Sequence, residues 1–264
     1  MLVGFDDDLA AEATRLTNRL RGLLTQVHPA LERVLGARVH TKAVIALISR
    51  YGGPAGLRGA GRTRLLQTAR KASPRGAGDL VEHLWAALHE QSVTVPGTAA
   101  AETVLPKLAA SLRDTLDQRA AIAVQVEQVL DAHPLAAVLT SMPGVGVRTA
   151  ARILLEVGDA GSFPTPGHLA AYAGLAPVTR RSGISIRGEH PPRSGNKHLK
   201  RALLLSAFAA LRADPVSRAY YDRKRAEGKR HNAALICLAR RRCDVLHAML
   251  KTQSHYQTPL PTAA

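Results

Sequence analysis

The stretch from Ser141 to Asp159, SMPGVGVRTAARILLEVGD, constrains this chain more than any other. Pro143-Gly144-Val145-Gly146 sets two glycines one residue apart, which permits positive φ and leaves backbone N–H groups uncovered. Leu135, Val138, Leu139 and Met142 lead in at helical spacing, and Ala150, Ile153, Leu154 and Val157 lead out. This predicts a helix-hairpin-helix, in which the donors at a helix N-terminus face a nucleic-acid phosphate. Gly144 and Gly146 form the contact, with Arg148 and Thr149 on the first turn of the second helix. A glycine corner that merely packs two helices is the plainer account. The apolar phase of both helices and the basic segment that follows favour the phosphate.

The rest of the chain reads as helix. Apolar residues make up 46% of it and aromatic residues only 3%. The core is therefore built from Ala, Leu and Val, which suits closely packed helices better than a β-sandwich. The expected class is mainly α: a helical and coiled-coil region over 1–134, a compact α-rich domain over 135–256 containing the helix-hairpin-helix, and a loose tail over 257–264. In the first region Asp6-Asp7-Asp8 read as the cap of a helix beginning near Leu9. A longer helix spans about 99–132. Its Leu105, Leu108, Leu112, Thr115, Arg119, Ile122, Val126 and Val129 fall on a/d heptad positions. They serve equally well as the seam of a homo-oligomer or as one face packed within its own domain.

Charge narrows the partner. The formal net charge is +16, and residues 139–264 hold 20 Lys/Arg against 7 Asp/Glu. That asymmetry draws a polyanion to the C-terminal half, and nucleic acid is the common one. No apolar run approaches a membrane span and no signal peptide is visible, so the expected compartment is cytoplasmic. Cys237 and Cys243 read as buried free thiols. The histidines form no metal-binding pattern, and no metal site can be argued.

Chemistry concentrates in a basic loop rich in Gly, Pro and Ser. Arg180, Arg181, Arg187, Arg193, Lys197, Lys200 and Arg201 feed an apolar helix over 199–211, an arrangement suited to cradling phosphate. Tyr220 to Arg230 reads as a basic turn before a last long helix. Ser182 lies between Arg181 and Gly183. A serine hydroxyl attacks a phosphodiester poorly unless cations stabilise the charge that develops on the oxygens. Spacing alone makes Ser182 a turn residue, with no histidine or carboxylate placed to act as its base.

Four motifs, SMPGVGVRTAA, LAAYAGLAPVTRRSG, GNKHLKRAL and YYDRKRAEGKRHNAAL, occur in that order. Together they resemble the C-terminal domain of transposases of the insertion-sequence-110 (116/902) family, the bridge-RNA-guided recombinases. The resemblance implies that Ser182 is a nucleophile that becomes joined to DNA, with a structured guide RNA as a further partner. It also implies a RuvC-like domain whose Asp-Glu-Asp-Asp carboxylates bind magnesium beside a partner subunit's serine. Asp6 to Asp8 lack that spacing. The expectation is a transposase without that N-terminal domain, binding DNA but cleaving only when a full-length partner supplies the carboxylates. The alternative is a non-catalytic helix-hairpin-helix protein that binds DNA or RNA.

Overall fold

Leucine and alanine at helical spacing produce helices almost throughout the computed structural model. It describes the backbone of residues 1–182, 186–190, 192 and 194–258, and the side chains of 1–178, 188, 192 and 194–258. The fold is mainly α, and the chain divides into two compact units, Met1–Ile122 and Ala123–Ala264.

The first unit contains α1 (Leu2–Val27), α2 (Pro29–Leu35), a 3₁₀ turn at Gly36–Arg38, α3 (Lys42–Tyr51), α4 (Pro54–Ala60), α5 (Arg62–Ala72) and α6 (Ala77–Glu90). The next helix, α7 (Thr98–Asp131), begins in this unit. One apolar core joins Leu20 and Leu24 of α1, Leu47 and Ile48 of α3, Leu84 and Leu88 of α6, and Leu105 and Leu112 of α7. The expected cap at Asp6-Asp7-Asp8 is not there. The helix already starts at Leu2, so the aspartates lie within its first turns, and Asp6 accepts from Arg119 at 3.0 Å. The carboxylate of Glu102 takes the place of a cap on α4 instead, its two oxygens accepting from the N–H groups of Gly53 and Ala55 at 2.7 Å each.

The heptad leucines therefore have an occupation within the unit. Leu105 and Leu112 are fully buried and Leu108 nearly so. Farther along the same helix Val129 is 66% exposed.

The second unit holds α8 (Ala136–Thr140), α9 (Val147–Val157), α10 (Pro166–Tyr172), α11 (Lys197–Ala213), α12 (Pro215–Ala226) and α13 (His231–Thr252). Helix α11 packs against α9, α12 and α13, around a core of Ile153, Leu169, Leu199, Leu203, Leu238 and Leu246. Two expectations change here. The basic loop contains an antiparallel pair of strands, β1 (Val178–Ser182) and β2 (Ile186–His190). The segment from Tyr220 to Ala226, expected as a turn, is the end of α12, because Asp214 caps that helix by accepting from the N–H groups of Val216 and Ser217. Arg223 and Lys224 stack on Tyr220 at 5.1 and 5.7 Å from its ring centre.

Candidate nucleic-acid interface

The glycine turn between α8 and α9 is held from beneath. Gly144 has φ of +82°, and a β-carbon there would stand 2.5 Å from the Ser206 carbonyl oxygen and 2.7 Å from the Ala210 nitrogen. Only a residue without a side chain lets the turn lie this close to α11. Arg242 of α13, 4% exposed, fastens it by donating to the Pro143 carbonyl and, at 2.7 Å, to the Ser206 hydroxyl. Burial pulls the Arg242 guanidinium down to about 10, with Asp214 opposing the shift, so it stays charged at neutral pH. The sequence alone hides Arg242, since an Arg-Arg-Arg run on a helix reads as a solvated face.

Gly146 differs from what its partner suggests. Its φ is −93°, an ordinary value, and nothing lies within 4 Å of where a β-carbon would be. The positive φ that the glycine pair permits is used at Gly144 and not at Gly146: Gly146 is the exposed N-cap of α9, and its openness leaves the helix start uncovered. Arg148 on the first turn is exposed and Thr149 is partly buried.

A second anchor lies at the other end of this helix. Arg152, 9% exposed, bonds Glu156 at 3.3 Å, and Glu156 accepts from the Asn196 amide at 2.6 Å. The same amide donates to the Tyr172 hydroxyl at 2.9 Å, while the Asn196 side-chain oxygen accepts from Leu199 N–H at 2.9 Å and caps α11. Just before it, Gly195 (φ +108°) lies against Gly174 (φ +64°), so closely that a β-carbon on Gly195 would stand 2.7 Å from the Gly174 backbone. The ends of the segment bearing β1 and β2 are therefore pinned together and tied to α9. The Gly-Asn pair before a helix is an N-cap signature, but its bond to Glu156, 40 residues earlier, has no local signal in the sequence.

The strand register pairs Arg180 with Gly188, Arg181 with Arg187, and Ser182 with Ile186. The side chains of Arg180, Arg181, Ser182 and Arg187 lie outside the described residues, as do Gly183 and Arg193. Lys197, Lys200 and Arg201 follow on the first turns of α11, with Lys197 and Arg201 exposed and Lys200 half-buried. Two of the expected groups are thus carried by helices that pack on each other: Gly146, Arg148 and Thr149 on α9, and the three cations on α11. Among the described residues, no three His, Cys, Asp or Glu side chains are grouped to hold a metal ion. No helix among them is long and apolar enough to cross a membrane. Cys243 is buried, which pushes its thiol up to about 12.

Residues 136–222, from the start of α8 into α12, match the family model described as Transposase IS116/IS110/IS902. The chain is 59% identical over 261 residues to the insertion element IS110 uncharacterized 43.6 kDa protein of Streptomyces coelicolor, covering 99% of this chain and 64% of that protein. It is 37% identical over 273 residues to the insertion element IS900 uncharacterized 42 kDa protein of Mycobacterium paratuberculosis, covering 98% and 68%. A pilin gene-inverting protein of Moraxella bovis is 32% identical over 133 residues, covering 48% and 41%. The chain thus spans about two thirds of the length of the two insertion-element proteins. With the family model lying on the glycine turn, the strand pair and the basic helix, and with identity running along almost the whole chain, this protein belongs to the IS116/IS110/IS902 transposase family.

Proposed function

We propose that this chain is the nucleic-acid-gripping and serine-bearing part of a DNA transposition and recombination machinery. DNA phosphates bind at the uncovered start of α9, where Arg148 and Thr149 lie, and along Lys197, Lys200 and Arg201. The arginines of the strand pair, Arg180, Arg181 and Arg187, and Arg193 after it, neutralise the phosphate beside Ser182. The Ser182 hydroxyl attacks that phosphorus, forms a serine–phosphate ester and releases one strand end. A structured guide RNA is the second polyanionic partner, and the chain works as an oligomer.

The observation that carries the reading is the pinned base of the strand pair. Asn196, Glu156 and Arg152 link it to α9, so a backbone gripped at α9 stands at a fixed relation to the start of the serine strand. The hydroxyl still needs activation, and the described residues offer no fitting metal site. The acidic carboxylates come from another polypeptide or domain, with magnesium supplying Lewis-acid activation there.

Three samples test this, each with cognate DNA, guide RNA and magnesium. The chain alone forms no covalent protein–DNA adduct. Mixed with a longer family member whose own serine is replaced by Ala, it forms one. The same mixture with Ser182→Ala loses the adduct and keeps DNA binding. An adduct that survives Ser182→Ala shows that another residue is the nucleophile.

A further inference from the structure

Beside the cations of α11 lies an open groove of about 560 Å³ between α11 and α13. Lys197, Lys200 and Arg201 line one end, Leu205 and Phe208 continue along the same helix, and Asn232 faces them from α13. Two large apolar side chains on a helix that begins so basic are left unusually open: Leu205 is 53% and Phe208 52% exposed. Scattered surface leucines need no explanation. Here, however, an aromatic ring, an amide and three cations share one concavity.

The ring is also held in place. His231 meets the Phe208 ring edge-on, at 6.4 Å and 86°, and is itself fixed by the Tyr221 hydroxyl at 2.7 Å from its Nδ1. A positioned aromatic face costs little entropy on binding and accepts any planar base by stacking. An amide can both donate to and accept from a base edge. Lys200 and Phe208 lie eight residues apart, about 12 Å along the helix axis, within one stripe of its surface. A phosphate at the cationic end and a base on the ring suit a short length of unpaired strand. An occupant of purely apolar chemistry would leave the cations desolvated without partners.

We propose that this groove binds an unpaired nucleotide: its base stacks on Phe208, its edge is read by Asn232, and the neighbouring phosphates are held by Lys197, Lys200 and Arg201. The proposal rests on the DNA-binding reading and deepens it. Strand exchange must unpair bases, and the groove holds one beside the anchored base of the serine strand pair.

Fluorescence anisotropy on the full chain tests it, with a labelled duplex and the same duplex carrying a two-nucleotide bulge. The wild type binds the bulged DNA about tenfold more tightly than the perfect duplex. Phe208→Ala and Phe208→Leu both erase that preference while leaving duplex affinity unchanged, because leucine keeps the apolar bulk without the π face. Lys200→Ala weakens both DNAs and lowers the salt slope by about one. Duplex binding without a bulge preference, or a preference that survives both Phe208 variants, overturns the proposal and leaves the DNA reading intact. Failure to bind either DNA at low salt overturns both. A mass that falls on Phe208→Ala while bulged-DNA affinity holds also overturns it, and makes the groove an interface between copies of the chain.

Discussion

At Gly144 a β-carbon would stand 2.5 Å from the Ser206 carbonyl oxygen, and φ is +82°, so both space and torsion exclude a side chain. At Gly146 neither does. The two glycines should separate in experiment. Gly144→Ala destabilises the second unit by about 2–5 kcal/mol, from backbone strain and forced movement of α11. Gly146→Val costs about 1 kcal/mol of stability at the N-cap, yet weakens DNA binding by about 1–3 kcal/mol by covering the donors. Chemical denaturation and a binding titration on each variant check this. If Gly146→Val binds normally, the start of α9 is not the contact. His28 gives a different prediction at this scale. It is 3% exposed, its Nδ1 accepts from Leu31 N–H at 3.1 Å as the cap of α2, and burial lowers its pKa from the usual 6.5. A depressed folded pKa adds stability that is present above the unfolded value and is lost as pH falls through the folded one. Between about pH 7.5 and pH 5 the wild type should therefore lose more thermal stability than His28→Asn, which caps without titrating. Equal losses would show that His28 does not contribute.

Helices are legible in this sequence because their apolar spacing is local, and the boundaries of α7 and α11 lie close to where that spacing puts them. What was hidden depends on distant partners. Leu105, Leu108 and Leu112 keep a heptad phase that suits a partner chain as well as an internal core, and the choice is made by α1, α3 and α6. The strand pair carries only a weak strand signal, because Val178, Thr179 and Ile186 stand among arginine, glycine, serine, glutamate and histidine, and the close crossing of Gly174 and Gly195 that holds its ends together has no local trace. Arg242 and Glu156 are hidden by distance along the chain: their partners lie 99 and 40 residues away. The Asn196 link makes its own prediction. Asn196→Asp keeps the cap on α11 but replaces the donor to Glu156 with a repelling carboxylate. In the mixed sample with a longer family member, adduct yield at saturating DNA falls by about tenfold while DNA affinity changes little. Rescue by Glu156→Gln, which gives the new carboxylate a donor again, marks the link as positioning. An unchanged yield with Asn196→Asp removes the link from the mechanism.

Across the whole molecule, charge and family agree. Most of the surplus of Lys and Arg lies in residues 139–264, the family model covers 136–222, and the exposed Arg148, Lys197 and Arg201 belong to the helices that follow the glycine turn and the strand pair. The central claim is that this half grips a nucleic-acid backbone. The most direct measurement is the affinity of the chain for duplex DNA across a range of salt concentrations. Each phosphate neutralised contributes roughly 0.9 to the slope of log K against log salt. With Arg148, Lys197, Lys200 and Arg201 engaged, together with Arg180, Arg181 and Arg187 of the strand pair, the account predicts a steep fall, with a slope of about −6. An affinity unchanged between low and high salt would contradict it.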